Sequence, residues 1–290
     1  MNSTEWLAYF RQNKLDRLPI AWPEGVCVRR HLRGPLARSL ARFQLGESSD
    51  GARLRAAALR LTERSGDCDY AEAIGLFISE EQEHARLLAE ALCRMRAPLL
   101  RRHWSDWLFR RCRHLLGFYQ EISVLLMAEI VALKYYSVVR SGAADGVLEK
   151  MCDQILHDEK FHVRFHCEYL YRALAMRPGW FRRLGWCALT GMFASASAVV
   201  AWDHRCAFAA LRSSSEEFLR ESWLNFAAAR HSIVTGEAFV WNASVGAVES
   251  PRELQAAPAT PQASSWIAAV LTRYLLLRKR LALFRHGLQS

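Results

Sequence analysis

The chain has 290 residues, enough for one large domain or two modest ones with a sizeable core. Apolar residues make up 51% and aromatics 11%, which excludes a disordered chain. The formal charge of +10 comes almost wholly from arginine, so it permits an anionic partner without requiring one. Blocks such as Arg101-Arg102-His103 and Arg278-Lys279-Arg280 read as solvated helix faces, and nucleic acid is disfavoured as a partner.

In chain order, residues 1–33 read as an irregular arm broken by Pro19 and Pro23. Gly34-Pro35 then opens a helix with proline in its first turn. From there the apolar period is helical to about residue 240, with no sustained period-two alternation, so the fold class is all-α. Ser65-Gly66-Asp67 separates a helix over 35–64 from one over 69–95, and residues 141–146 separate 113–140 from 147–176. Residues 96–112 are long enough to cross the end of a bundle, which predicts two helical hairpins joined by a crossover within 34–176.

Arg177-Pro178-Gly179 ends that bundle, and added helices are expected at 180–211 and 214–236 within 177–248. Leu184 to Trp202 is uncharged and near the length of a membrane span, but it is rich in Ala, Ser and Gly. It reads as a buried helix packed closely by small residues. Residues 249–265 are a Pro/Ala/Ser linker. The segment 266–290 carries an amphipathic helix with a basic side; packing on the bundle is its expected role, and contact with a membrane surface is the alternative.

None of the eight cysteines forms a C-x-x-C pair, which argues against a disulfide framework, a zinc ribbon or a rubredoxin-type iron site. No signal peptide is apparent in MNSTEWLAYFRQNK, and a cytoplasmic setting is expected.

Two stretches carry the chemistry: ISEEQEHARLLAE, with Glu81-x-x-His84, and ILHDEKFHVRFH, with Glu159-x-x-His162. Helical residues three apart share a face, so each pair can grip one metal ion. Both pairs interrupt apolar stripes: Ile74, Phe77, Ile78, Ala85 and Leu88 around the first, Cys152, Ile155, Val163 and Leu170 around the second. A carboxylate on such a stripe is costly unless it is paired or bound to metal. Residues equally far from the turn of an antiparallel hairpin are level. Reflecting Glu159 through 143/144 gives residue 128, next to Glu129, with Glu121 two turns away. Reflecting Glu81 through a turn near 66 gives residue 51; Glu47 lies one turn off and is the better candidate than Glu63, which sits beside the turn.

Four carboxylates and two imidazoles suit a dinuclear iron or manganese centre. Glu80 and Asp158 can each hydrogen-bond the ring N–H of the histidine on the opposite pair, or can be ordinary surface acids. His166, one turn beyond His162, is either a further supporting imidazole or a core histidine. Phe43, Leu125, Leu126, Leu133 and Tyr136 are expected to shape a pocket beside the ions, or else to be bundle core.

These residues resemble the ferritin-like diiron-carboxylate superfamily over about 35–170. Gly46-Glu47-Ser48 and Glu81-Gln82-Glu83-His84-Ala85 look like the first two helices of rubrerythrins. Asp158-Glu159-x-x-His162 looks like the fourth-helix motif of bacterial multicomponent monooxygenases and ribonucleotide reductase small subunits. The resemblance implies a ferritin-like four-helix bundle and puts the metal ligands on Glu47, Glu81, His84, Glu129, Glu159 and His162. The chain departs from rubrerythrins at Leu126, where they carry a further glutamate, and it lacks their Cys₄ module. It departs from arylamine N-oxygenases at Ile155, where they carry a further histidine.

The expected function is therefore that of a non-haem diiron oxygenase or oxidase. It would bind two iron ions, or a manganese–iron pair, and use O2 as co-substrate on a small organic molecule. Electrons would come from an external ferredoxin or reductase, and the added helices would cover the pocket or make a homodimer contact. Iron handling or peroxide scavenging is the alternative, and a tRNA-modifying hydroxylase the further one.

Overall fold

The computed structural model describes residues 1–17, 19–113, 117–175 and 177–241. Among the described residues all regular structure is helical, and there is no strand. Residues 242–248, the linker at 249–265 and the amphipathic helix expected at 266–290 lie outside them.

The N-terminal arm is not irregular. It forms α1 (Ser3–Leu15), opened by a capping box in which the Asn2 side chain accepts from the Glu5 amide and the Glu5 carboxylate accepts from the Asn2 amide. Trp6, Phe10 and Asn13 follow at helical spacing and are buried. Pro19 and Pro23 act only on the chain after the helix, where Trp22–Glu24 makes one 3-10 turn.

The helix expected at 35–64 is two helices. α2 (Arg30–Glu47) begins ahead of Pro35, and α3 (Ala52–Ser65) follows a break at Ser48–Gly51. Gly51 enforces the break. Its φ of +64° lies in the left-handed region, and a Cβ there would come within 2.4 Å of the Ile78 side chain. α4 (Cys68–Arg94) is capped by Asp67, whose carboxylate accepts from the Tyr70 amide. The crossover carries a helix of its own, α5 (Trp104–Arg113). α6 (Phe118–Ala143) and α7 (Gly146–Ala175) form a tight hairpin, with the Asp145 carboxylate accepting from the Val147 and Leu148 amides. α8 (Gly179–Asp203), α9 (Arg205–Ala210) and α10 (Ser215–Thr235) complete the described chain.

α2 and α3 pack on α4, α6 packs on α7, and the two sets meet where α4 touches α7 and α3 touches α6. α1 lies against α4, while α10 packs on α7, α6 and α8. With neighbours on several sides, α6 is buried nearly all round, as the consecutive buried residues Ser123, Val124, Leu125, Leu126 and Met127 show. The surprise is α8. Its inner side is held, with Phe193 stacked on Phe226 of α10, but most of its apolar stretch is not buried. An uncharged run rich in small residues can pack closely against a partner, and here no described element covers its outer side.

Candidate metal centre

The structure brings the six candidate ligands together in two overlapping groups. Glu81, Glu129, Glu159 and His162 form one, and Glu47, Glu81 and His84 the other; within each, the donor atoms lie within 4.8 Å of one another. α2 delivers Glu47 from its last residue, α4 delivers Glu81 and His84, α6 Glu129, and α7 Glu159 and His162. Glu81 belongs to both groups. Its Oε1 is 3.6 Å from His84 Nδ1 and 3.1 Å from His162 Nδ1. Glu159 likewise stands 3.6 Å from His84 Nδ1 and 3.5 Å from His162 Nδ1.

The donors face one another without satisfying one another. Glu81 Oε1, Glu129 Oε1, both Glu159 oxygens and the Nδ1 atoms of His84 and His162 are buried and lack hydrogen-bond partners. Buried polar atoms are rarely left so, because each costs about 1–3 kcal/mol. The opposite ring nitrogens are well served: His84 Nε2 lies 3.0 Å from Asp158 Oδ2, and His162 Nε2 lies 2.8 Å from Glu80 Oε2. With Nε2–H donating to a carboxylate, the Nδ1 lone pair is left aimed at the cluster, as a metal ligand requires.

Electrostatics record the crowding. Burial, then the neighbouring Glu81 and Glu129, raise Glu47 well above the ordinary carboxylate range. Burial and Glu81 push Glu129 up to about 7, and burial with Glu129 raises Glu159 well above its usual value. Burial would raise Glu81 too, but the adjacent His162 and His84 hold it down at about 2. Burial would lower His162, yet the surrounding carboxylates of Glu159, Glu80 and Glu81 keep it well above its usual value. Four carboxylates carry a formal charge of −4, which two divalent cations would balance.

A supporting layer lies behind the histidines. Asn13 Nδ2 donates to Glu80 Oε1 and to Asp158 Oδ1, both at 2.7 Å, and Arg17 stands 3.6 Å from each acid. Composition and motif spacing do not point to these two residues. The available signal is the capping box of α1, followed by a polar residue, Asn13, in register with buried Trp6 and Phe10. We expect Asn13→Ala to lower stability by about 1–3 kcal/mol, because it strips a donor from two buried carboxylates. Denaturant midpoints of the two proteins measure this. His166 lies beside the cluster, with Nε2 3.9 Å from Glu129 Oε1 and its ring edge-on to Phe77.

On the Glu47–Glu81–Glu129 side the cluster borders a cavity of about 270 Å³. Phe43 and Leu125 line it, together with Phe77, Ile78 and Ala132. Leu126, Leu133 and Tyr136 are not in its wall. The first two are turned about 80–100° around α6 from Leu125, and both are fully buried. Tyr136 instead donates its hydroxyl to Glu47 Oε1 at 3.0 Å. The outer wall is built from Arg42, Ser105, Asp106 and the Met192–Val200 stretch of α8. His204 also lines it, bonded through Nδ1 to Ser39 Oγ at 2.7 Å; burial, Arg42 and His103 hold its pKa down at about 3, so the ring is neutral.

No protein-family model matches the chain, and no curated protein or solved structure matches it. The geometry by itself shows, among the described residues, an all-helical architecture whose buried Glu/His cluster could hold metal, an arrangement compatible with a diiron-carboxylate fold.

Proposed function

We propose that the protein is a ferritin-like diiron oxygenase that oxidises a small, largely apolar organic molecule. The observation that carries this reading is the pairing of two overlapping Glu/His groups with an apolar cavity that ends on three of their carboxylates. The donor set fits the metals. It offers oxygen and imidazole nitrogen and no thiolate, which suits iron or manganese. When bound, a redox-active metal pair supplies the oxidation of a C–H or N–H bond by O2, with electrons from an external ferredoxin or reductase.

The chain's own residues do the rest. Glu80 and Asp158 fix the tautomer and direction of the two imidazoles, and Asn13 with Arg17 fixes those acids in turn. Tyr136 holds one oxygen of Glu47 and leaves the other for the cluster. Phe43, Phe77, Ile78, Leu125 and Ala132 give a substrate an apolar bed.

Anaerobic loading with ferrous iron tests the proposal, with two irons retained per chain as the expected result. O2 uptake with a reductant should then rise when apolar organic compounds are added. Ala196→Phe, which fills the cavity from α8, should remove that rise while both irons stay bound. Failure to retain iron, or O2 uptake indifferent both to added compounds and to Ala196→Phe, would overturn the reading.

A further inference from the structure

We propose that the protein docks on an anionic lipid bilayer through the outer stripe of α8 and the tryptophan-bearing edge of α5. α8 is uncharged from Leu184 to Trp202 and is long and apolar enough to cross a membrane, yet most of that stretch is left unburied. At about 100° per residue, Trp180, Leu184, Cys187, Gly191, Ser195 and Trp202 fall on one side of the helix, and every one of them is exposed. The large side chains stand at the two ends, with Trp180 67%, Leu184 63% and Trp202 40% exposed.

α5 extends the same face. His103 Nδ1 is 3.7 Å from Asp203 Oδ2, beside Trp202, and the His103 ring is 5.9 Å from that of Trp104. Trp104 is 50% exposed and Trp107 66%. Tryptophan favours the headgroup level of a bilayer, where its ring is half in hydrocarbon and its N–H stays wet.

Charge names the kind of lipid. Arg101, Arg102 and Arg111 flank the α5 edge, and Arg183 and Arg205 flank the α8 stripe, all exposed. Arg205 stacks over the Trp202 ring at 4.2 Å. The only acids in 99–113 and 179–205 are Asp106 and Asp203, and each is paired, with Arg110 and Arg42. A face that carries exposed tryptophans, and arginines that form no ion pair among the described residues, complements an anionic bilayer surface.

The helix lies on the bilayer rather than through it. Leu189, Phe193, Ser197 and Ala201 are buried on its inner side, and spanning would strip them from α6 and α10. A second copy is the poorer occupant. Antiparallel pairing through α8 would set Arg183 of one chain against Arg205 of the other. The docked face also carries the outer cavity wall, at Ser105 and Ser195, so on the proposed function a membrane-dissolved substrate would enter from the lipid side.

Docking needs no metal, so flotation of the full-length, metal-free protein tests it separately from the proposed function. Vesicles of phosphatidylcholine with phosphatidylglycerol should carry the protein up a sucrose gradient, vesicles of phosphatidylcholine alone should not, and salt should weaken the effect. Combined Trp180→Ser, Leu184→Ser and Trp202→Ser should cut the floated fraction about tenfold, and so should Arg183→Glu with Arg205→Glu. All five positions are exposed, so circular dichroism should stay unchanged. The proposal is overturned by no flotation, or by flotation that neither variant weakens. It is equally overturned if reversing Arg278, Lys279 and Arg280 alone abolishes binding, or if sedimentation shows a dimer that the Trp180/Leu184/Trp202 variant dissolves.

Discussion

Glu81→Ala should empty the whole metal centre, whereas Glu47→Ala should leave one ion. The contrast follows from sharing. Glu81 is the one carboxylate common to both Glu/His groups, and its Oε1 stands within 3.6 Å of both Nδ1 atoms. Removing it leaves His84 with Glu47 and Glu159, and His162 with Glu129 and Glu159. Neither ion then keeps a charge-balanced, fully occupied set of donors, and we expect affinity to fall at least about a hundredfold for both. Glu47 belongs to one group only, and its loss leaves Glu81, Glu129, Glu159 and His162 as a four-donor site. Metal analysis after ferrous loading and desalting should therefore read two ions for the parent chain, one for Glu47→Ala and close to none for Glu81→Ala. Equal losses in the two variants would mean that the groups do not share Glu81 in the loaded protein.

The two hairpins differ in how far counting from a turn could reach. α6 and α7 run without interruption on either side of Ala144-Asp145, so distance from the turn measures height, and Glu129 falls opposite Glu159. On the other side the count from the turn near residue 66 fails, because the chain breaks at Ser48–Gly51. Glu47 is therefore the end of a separate helix. The break depends on a left-handed glycine whose missing Cβ leaves room for Ile78, a tertiary fact with no periodic signature.

α1 and α8 depart from the sequence expectation for opposite reasons. In α1 a capping box starts a helix that ends before the prolines at 19 and 23, and it brings Asn13 inward, where its amide joins Glu80 to Asp158. In α8 an apolar, small-residue run records what a helix tolerates beside it and does not say which partner is there. Cavity walls are harder still. Leu125 and Leu126 are adjacent in sequence and equally apolar, and only the rotation of α6 decides that the first lines the cavity.

Metal-free protein should be most stable near pH 5 and should weaken steadily towards pH 8, while metal reverses the trend. Glu129 carries the argument in numbers. Its usual value of 4.5 is pushed up to about 7 in the fold. Between those limits the folded chain keeps a proton that the unfolded chain has released, so raising the pH favours unfolding, by on the order of 3 kcal/mol for this group alone. Glu47 and Glu159, raised for the same reason, act in the same sense above pH 4.5. So does His162, whose stabilisation is complete below 6.5 and is lost as the pH climbs through its higher folded value. The opposing groups are Glu81 and Asp158, both held near 2, and His204, held near 3, which adds stability up to pH 6.5 but stands as one group against Glu47, Glu129 and Glu159. The stabilisation from Glu81 and Asp158 is present above their unfolded values of 4.5 and 3.8 and is lost only as the pH falls towards 2. Bound cations must displace the protons on Glu47, Glu129, Glu159 and His162, so metal affinity, and with it the added stability, grows over the interval in which the bare protein weakens. Denaturant midpoints at pH 5, 6.5 and 8, with chelator and with anaerobic ferrous iron, should diverge as the pH rises. Parallel curves would show that the cluster does not exchange protons for metal.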